Sequence, residues 1–513
     1  MLAKTGLLIV SNPQQISKVL RSIQNRVQST LYIQLLSALT DQLGNFCPGV
    51  FTTWPKFNKT IFGIYSQAAK YCNDLDVQVL LSGLKYNIPQ IKTRNPIDIV
   101  IFDKEYTENE INNFINLRLS NVSKKHDILT VHCGGHETLT EEEGEEEKIV
   151  EHSVLGGTFD RLHVAHKLIL SEAILRSKSK VTIGVTNENL IQGKLLWELI
   201  EDKDTRIKKV KNFITDICPE LEYEVVEISD PFGPAIVDPT MELIVVSPET
   251  VRGGQKINEI RKEKQLHELE IVSIRLIDEP KPDPIEEPKI SSSNTRLRLL
   301  GTLFKSVEKN DCIPKKPYII GLTGGIASGK SGVAEHLQEL GGLIINCDKL
   351  GHNAYKPGCP CYNKIVQQFG RQVLDTNGEI DRKVLGSIVF KNPDDLNKLN
   401  ELVWPAIAEE IKNIIKNTDK EIVVVEAAVL LRAGWQRQCH EVWTTIVPPN
   451  EAIRRLISRN NLNESEAKKR LDALPPNTEY VRHAHVVFCT LWQIEYTKLQ
   501  VIKAWNLLQA RIP

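Results

Sequence analysis

Short runs of β-branched and aliphatic residues alternate with amphipathic segments through most of the chain. From residue 152 onward this pattern predicts strands at 152–155, 181–185, 223–228 and 241–246, with helices at 165–176, 205–217 and 256–268. The same rhythm starts again at 318–322 and recurs at 343–346, 421–425 and 442–447. Buried strands that alternate with helices are typical of parallel sheets covered on both faces. The pattern therefore predicts an α/β protein with two consecutive parallel-sheet units.

The region before residue 137 has a less regular pattern. Segments 97–102 and 128–132 are compatible with strands, which favours an α/β fold here as well. The first 40 residues contain Lys4, Lys18, Arg21 and Arg26 but no acidic residue, a composition typical of a targeting segment. The apolar run 6–10 equally favours a first strand, followed by a surface helix. The sequence leaves both interpretations open.

Three changes in composition mark boundaries. Residues 137–151 include an acidic run at 141–147, which is typical of a solvated linker. The proline-rich segment 279–288 cannot continue a helix or a central strand, and a third break at 312–317 precedes a new strand. We predict an N-terminal region at 1–136, an acidic linker at 137–147, and two domains at 148–310 and 316–513.

Composition then excludes several classes of protein. The 513 residues carry 64 Lys and Arg against 65 Asp and Glu, so no overall positive field exists to hold nucleic acid or an anionic membrane. Hydrophobic residues make up 41% and charged residues 25%, as in an ordinary globular protein. No apolar run is long enough to span a bilayer. Any phosphate-binding site must therefore be local.

Ten cysteines in 513 residues are too few for a disulfide scaffold and fit a reducing compartment. Two clusters contain metal-ligating residue types, one at 132–136 and one at Cys359 and Cys361. Neither has a second ligand pair at zinc-finger spacing. We therefore expect free thiols and surface imidazoles instead of a structural metal.

The strongest motif matches G-x-x-x-x-G-K-[ST], between an apolar strand and a helical pattern. Glycines allow backbone N–H groups to turn inward around a phosphate chain. Lys330 can then reach the β- and γ-phosphate oxygens, and the Ser331 hydroxyl can join the shell of a Mg²⁺ ion. The predicted nucleotide-binding residues are Gly324, Gly325, Ile326, Ala327, Ser328, Gly329, Lys330 and Ser331.

Asp348 follows the apolar run 343–347, at the carboxyl end of a predicted strand. Ligands of open α/β sheets bind at that edge. A carboxylate there can accept the proton of an attacking hydroxyl, as phosphoryl transfer requires. The alternative is that Asp348 only caps the next helix.

A second stretch, 156–166, joins a strand to a helix through two glycines and carries His163 and His166. Residues three apart at the start of a helix share one face. Imidazoles beside the free N–H groups of a helix N-terminus suit a triphosphate. A structural or chance histidine pair is the alternative, but the preceding Gly-Gly-Thr-Phe-Asp favours function.

Segments 321–331, 347–352, 357–358, 380–390 and 454–470 together resemble the dephospho-coenzyme A kinase family. The resemblance implies a P-loop kinase domain that uses ATP and Mg²⁺. It implies that Asp348 is the base acting on a ribose 3′-hydroxyl and that Arg470, in a lid, clamps the transferring phosphate. His352 and Arg382 would bind the substrate.

Three positions depart from the kinase pattern. Trp404 stands where many members have histidine, Arg432 replaces an acid, and Leu474 lies where a glutamine is common. These departures put the geometry of the lid in doubt, but they leave the P-loop and Asp348 intact.

The 156–166 stretch resembles the nucleotidylyl transferases with a His-x-Gly-His signature, with Ala165 in the glycine position, and in particular phosphopantetheine adenylyltransferase. The resemblance implies a Rossmann-like domain in which His163 and His166 contact the ATP phosphates. Thr158 and Lys194 would position the phosphate of 4′-phosphopantetheine. The remaining ATP-binding residues implied are Gly156, Gly157, Thr158, Phe159, Arg252, Gly253, Ser292 and Ser293.

The order of the two domains resembles the bifunctional coenzyme A synthases of animals. It implies adenylyl transfer from ATP to 4′-phosphopantetheine, then phosphorylation of dephospho-coenzyme A, with no nucleic acid partner. It further implies mitochondrial or cytoplasmic localisation, with membrane association through the N-terminus and regulatory protein partners. The alternatives are a nucleotide-binding scaffold with one inactive unit and a kinase of another small acceptor, such as a nucleoside.

Overall fold

The computed structural model describes residues 2–36, 43, 50–131, 148–310, 313–389 and 391–512, with the backbone alone at 50–58 and 360. Within these described residues the strands form three sheets, each of five parallel strands. The chain divides into two compact units, Met1–Thr295 with two of the sheets and Arg296–Pro513 with the third. The predicted linker at 137–147 and the cluster at 132–136 lie outside the described residues.

The N-terminal region folds around a sheet of its own. Its elements are β1 (Ala3–Val10), α1 (Ile16–Ile23), β2 (Val27–Leu35), α2 (Val50–Tyr71), β3 (Asp76–Val79), α3 (Ser82–Lys85), β4 (Ile97–Phe102), α4 (Glu108–Arg118) and β5 (Val122–Thr130). The strand order is β3-β2-β1-β4-β5, so β1 is central. The strand interpretation of 6–10 is therefore confirmed. The following helix is the expected surface helix, because Ile16, Val19, Leu20 and Ile23 are buried on one face while Lys18, Arg21 and Ser22 are exposed on the other.

The second sheet lies within the stretch 148–310 that was predicted as a domain. Its elements are β6 (Val150–Gly157), α5 (Val164–Arg176), β7 (Ser177–Thr186), α6 (Lys203–Ile217), β8 (Glu222–Ile228), β9 (Leu243–Val246), α7 (Val251–Glu263), β10 (Glu270–Ser273) and α8 (Ser292–Leu299). The strand order is β10-β9-β6-β7-β8.

The first and second sheets have the same connectivity. In each, the first strand is central, the second and third lie on one side, and the fourth and fifth lie on the other. In the second sheet the direction of winding reverses between β6 and β9, which pair through Ser153 and Val154. Ligands of such sheets bind outside the carboxyl ends of the strands at the reversal. The turn that leaves β6 is therefore at the expected ligand position.

The third sheet has the order β12-β13-β11-β14-β15, with β11 central. Its elements are β11 (Tyr318–Gly324), α9 (Lys330–Glu339), β12 (Leu343–Asn346), α10 (Cys347–Ala354), α11 (Pro360–Phe369), α12 (Arg382–Val389), α13 (Pro393–Asn417), β13 (Ile422–Glu426), β14 (Glu441–Ile446), α14 (Pro449–Asn460), α15 (Glu464–Asp472), α16 (Asn477–His483), β15 (Val486–Cys489) and α17 (Ile494–Gln509). Every residue of β13 and β14 is buried, as interior parallel strands covered on both faces require, and the edge strand β15 is buried as well.

The predicted strands from 152 onward all coincide with observed ones, but some bounds were wrong. The strand predicted at 128–132 is Val122–Thr130. The helix predicted at 256–268 is Val251–Glu263, because a turn closed by Thr250 starts it early and Leu266 N bonds back to the Arg261 carbonyl. Among the described residues, no helix combines the length and apolarity needed to cross a membrane.

Candidate active sites

The loop from β11 to α9 is built for a phosphate chain. Gly324 has φ +153, and a Cβ there would lie 2.2 Å from Thr445 Oγ1. Gly329 has φ +80 and is the N-cap residue of α9, which begins at Lys330. Side chains are excluded at both positions by conformation or by contact. The glycines therefore let the backbone turn N–H groups of the loop and of the start of α9 toward an anion.

Side chains from neighbouring strands tether this loop. Ser328 is buried, and its Oγ lies 2.6 Å from Thr445 Oγ1. The Thr490 hydroxyl donates to the Ser328 carbonyl at 2.9 Å. Arg455 Nη1 donates to the carbonyl of Ala327 at 3.1 Å and to Thr490 Oγ1 at 2.8 Å. Ala327 has φ +58, so Arg455 stabilises a left-handed residue that is not glycine.

Arg455 is itself held by an acid on the same helix, α14. Its Nε donates to Glu451 Oε1 at 2.8 Å, and Arg454 binds the same carboxylate. The hydrogen bonds from Arg454 and Arg455 lower the pKa of Glu451 to about 2. Glu451 is thus ionised at neutral pH and keeps Arg455 directed at the loop. The sequence placed Arg455 in a family pattern but gave it no role.

Glu426, at the carboxyl end of β13, is a site residue that sequence reasoning missed. Its side chain is buried beside the P-loop. It accepts hydrogen bonds from Lys330 Nζ at 3.3 Å, from Ser331 Oγ at 3.0 Å and from Asn346 Nδ2 at 2.7 Å. The sequence signal for this residue was an acid at the end of a fully buried strand whose other residues are β-branched. A buried charge of this kind requires partners, and here they are the two functional residues of the motif.

The same contacts test the predicted Mg²⁺ site. The Ser331 hydroxyl and the Glu426 carboxylate offer hard oxygen donors 3.0 Å apart, beside the phosphate loop. Within the described part of the chain, no group of three His, Cys, Asp or Glu side chains is arranged to hold a metal ion. Mg²⁺ commonly binds through one or two protein oxygens, with phosphates and water completing its shell. The residues present fit that mode.

Asp348 lies on the first turn of α10, at the carboxyl end of β12, with an exposed side chain. The cap of this helix is Asn346, whose side chain accepts from Lys349 N at 2.9 Å, so the capping alternative for Asp348 is wrong. Burial and the charge of Arg382 lower the pKa of His352, and Asp348 opposes the shift. The structure therefore brings Asp348, His352 and Arg382 within electrostatic range of one another.

Arg470 is exposed on the last turn of α15, which begins with a capping box between Asn463 and Glu466. Of the departures noted above, Trp404 packs half-buried within α13, next to Pro405. Arg432 lies near Tyr480, since its charge opposes the rise that burial causes in the tyrosine pKa. Trp404 lies on a helix and Arg432 lies in the turn after β13, and both leave the P-loop contacts intact.

In the second sheet, the turn that leaves β6 is held in a strained path. Phe159 has φ +51 and Arg161 has φ +45, although neither is glycine. The Phe159 ring is buried, and its atoms lie 3.1 Å from the position of a Cβ on Gly157. Asp160 is fully buried and accepts from Glu201 N at 3.0 Å. Such strain persists where surrounding contacts enforce it.

The two histidines meet at the start of α5. His163 is the N-cap residue, and its ring stacks on that of His166 with centroids 3.8 Å apart. His163 Nε2 lies 3.3 Å from Ser292 Oγ, which donates to the Asp160 carbonyl at 3.1 Å. That serine therefore accepts from His163, which requires a proton on Nε2. The predicted His163, His166 and Ser292 are brought together.

The other predicted residues lie along the same edge. Thr186 Oγ1, at the end of β7, donates to Thr158 Oγ1 at 3.2 Å. Lys194 is exposed in the turn after β7, and Arg252 is exposed on the first turn of α7, after β9. Arg206, which the sequence analysis missed, is fully buried and donates to the Thr158 carbonyl at 2.8 Å. Its helical pattern alone gave no signal of that contact.

The folds and sites define a nucleotidylyl transferase-like unit followed by a P-loop kinase unit. The cytidylyltransferase-like family model matches residues 154–298, and that of dephospho-CoA kinase matches 318–490. The dephospho-CoA kinase of Carboxydothermus hydrogenoformans is 40% identical over 187 residues, 36% of this chain and 91% of that protein. The dephospho-CoA kinase of Moorella thermoacetica is 37% identical over 199 residues, which are 38% of this chain and 94% of that protein. The chain therefore belongs to the dephospho-CoA kinase family.

Among solved structures, the dephospho-CoA kinase from Campylobacter jejuni is 24% identical, with a TM-score of 0.31, and the match covers 37% of this chain and 97% of that one. The predicted order of the two catalytic domains, transferase-like then kinase, is confirmed by the family matches.

Glu426→Gln removes the charge shared by Lys330 and Ser331. We expect kinase turnover to fall about 100-fold, as for other groups that support a metal ligand, with a higher Mg²⁺ requirement. Glu421→Gln is the matched control, because this exposed acid directly precedes the same strand. The measurement is the kinase turnover of both variants as a function of Mg²⁺ concentration. Equal activity of the two variants would contradict the assigned role.

Arg455→Met removes the tether on the Ala327 carbonyl. We expect the KM for ATP in the kinase reaction to rise about tenfold, equivalent to roughly 1.4 kcal/mol, since the loop loses its preset shape. Arg454→Met is the control, because Arg454 binds the same Glu451 carboxylate but projects into solvent. Initial-rate kinetics on ATP test this, and an unchanged KM in Arg455→Met counts against it.

Proposed function

We propose that this chain catalyses two successive reactions. In the first, ATP transfers its adenylyl group to 4′-phosphopantetheine, giving dephospho-coenzyme A and pyrophosphate. In the second, another ATP phosphorylates the ribose 3′-hydroxyl of that product, giving coenzyme A and ADP. The proposal rests on two strand-to-helix turns in one chain of this family. Each turn has its own set of residues suited to binding phosphate.

The adenylyl acceptor is inferred from the kinase that follows. A dephospho-CoA kinase consumes a molecule that adenylyl transfer to phosphopantetheine produces. The second sheet has the parts such a transfer needs, because stacked His163 and His166 lie at a helix N-terminus where a triphosphate is stabilised. A phosphate acceptor fits beside Thr158, which Arg206 and Thr186 hold in place.

The first reaction requires no covalent intermediate. A phosphate oxygen of 4′-phosphopantetheine attacks the α-phosphorus, and the bond to the β-phosphate bridging oxygen breaks as pyrophosphate leaves. His163 and His166 donate to phosphate oxygens and stabilise the charge that develops. Lys194 orients the attacking phosphate, and Arg252, Ser292 and Ser293 hold the nucleotide. In a reaction of this kind, most of the rate acceleration comes from positioning the reacting groups.

In the second reaction the 3′-hydroxyl attacks the γ-phosphorus, and the bond to ADP breaks. Asp348 accepts the hydroxyl proton as the bond forms. Lys330 binds the β- and γ-phosphate oxygens, and Arg470 closes over the transferring group. Mg²⁺, held by Ser331 and Glu426, would neutralise phosphate charge when bound. Localisation to mitochondria and regulatory partners stay predictions from the resemblance.

Two single substitutions separate the reactions. We expect His166→Ala to lower adenylyl transfer at least 100-fold and to leave phosphorylation of added dephospho-coenzyme A within twofold, because the sites lie in different units. Lys330→Ala should do the reverse. Each activity is measured on the same purified protein. Loss of both activities in either variant, or of neither, would refute the division of labour.

Asp348→Asn removes the proton acceptor but keeps the shape of the side chain. We expect kinase turnover to fall about 100-fold or more with little change in the KM for ATP, since general-base catalysis contributes about 10²–10⁴. Asp394→Asn, on the first turn of α13, is the control for a helix N-terminal acid. A kinase turnover in Asp348→Asn equal to that of the control would exclude Asp348 as base.

A further inference from the structure

Helix α5, which begins with the histidine pair, is covered by helix α2 of the N-terminal region. From Lys167 to Arg176 nearly every residue of the helix is buried. Helix α2 packs against α5, and residues of both belong to one continuous apolar core, among them Ile64, Ala68, Leu170 and Ile174. One apolar layer of the N-terminal region therefore shares a core with α5, while the residues on the other face of its sheet form a core of their own.

Lys167 anchors the first turn of α5. It follows His166, and its N–H donates to the His163 carbonyl at 3.0 Å. Its ammonium group pairs with Asp76 and donates to the Val77 carbonyl at 2.8 Å, both at the start of β3. The lysine side chain is 4% exposed, and burial lowers its pKa while Asp76 opposes the shift. A buried ammonium without its partner is costly, so Asp76 fixes this turn.

Lys85 anchors the opposite end of the same helix. Its Nζ donates to the Ile174 carbonyl at 2.6 Å and to the Ser177 carbonyl. Burial lowers the pKa of Lys85 to about 8. The last carbonyls of a helix lack intrahelical partners and favour a cation. Asp76 of β3 and Lys85 of α3, both in the N-terminal region, therefore hold α5 at its two ends.

The first sheet also holds α6, the helix that carries Arg206. Asp216, near its end, accepts from the Tyr32 hydroxyl and from Arg94 N, each at 2.7 Å. Leu81 N donates to the Ile217 carbonyl at 2.8 Å. Both helices that support the histidine turn are thus bonded to the N-terminal region.

The first sheet lacks the chemistry of the second at the equivalent position. After β1, residues 11–16 contain neither glycine nor histidine. Asp103 instead closes this turn, accepting from Ser11 N at 2.7 Å and from Asn12 N at 2.9 Å. The first sheet therefore uses the shared topology for packing. Its contacts described above are made with α5 and α6.

We infer that the N-terminal sheet positions the histidine turn, with Asp76 and Lys85 as its positioning residues. They set the orientation of α5 and so of His163 and His166 relative to the ATP phosphates. This inference rests on the proposed adenylyl transfer at that turn. It makes residues 2–131 a part of the adenylyltransferase, where the sequence suggested a region for localisation and regulation.

The test uses the full chain with Asp76→Ala and Lys85→Met, and their rescue by Asp76→Glu and Lys85→Arg. Asp74→Asn, an exposed acid two residues before Asp76, and Lys92→Met, an exposed lysine in the same region, are matched controls. Circular dichroism first establishes the temperature range in which every variant is folded. Adenylyl transfer and kinase turnover are then measured on each protein.

We expect kcat for adenylyl transfer to fall at least tenfold in Asp76→Ala and Lys85→Met, with the KM for 4′-phosphopantetheine changing less than threefold and kinase activity within twofold. Asp76→Glu should recover most of the loss. No loss of adenylyl transfer, or a parallel loss of both activities, would overturn the inference. Absence of adenylyl transfer in the unaltered chain would instead refute the proposed function.

Discussion

Phosphate recognition in this protein depends on one constraint, the turn from a central parallel strand into a helix. Parallel strands bring their carboxyl ends to one edge, where helix N-termini present unpaired N–H groups. The chain has a net charge of -1 and thus no general attraction for polyanions. We propose that it concentrates phosphate recognition in two such turns, one with Lys330 and one with His163 and His166.

Each turn is held in its shape by contacts from the protein itself. In the kinase unit, Arg455 and Thr490 hold the loop by its carbonyls, and Glu426 holds the Lys330 and Ser331 side chains at the edge of the sheet. In the transferase unit, the fully buried Asp160 fixes the turn that Phe159 and Arg161 enter with positive φ. Groups fixed in this way lose little freedom when the phosphates bind, which is the basis of electrostatic preorganisation.

Local signals predicted much of this, because glycines and histidines of a turn act within a few residues of each other. The P-loop, the His163 and His166 pair and the strands around them follow from such signals. Glu426 and Arg206 contact residues that are distant in sequence. No local pattern predicts which carbonyl or ammonium group a buried side chain will contact. The N-terminal sheet was left uncertain for the same reason. Its central strand β1 was one of two open interpretations, and its anchors Asp76 and Lys85 bind residues about 90 positions away.

The most direct test of the two-reaction account supplies one purified chain with 4′-phosphopantetheine and ATP labelled separately at the α- or γ-phosphorus. The account predicts coenzyme A that retains one α-phosphorus from the first ATP and one γ-phosphoryl group from the second, with pyrophosphate and ADP released in equal amounts. Product that forms only when dephospho-coenzyme A is added, with no incorporation of the α-label, would contradict it.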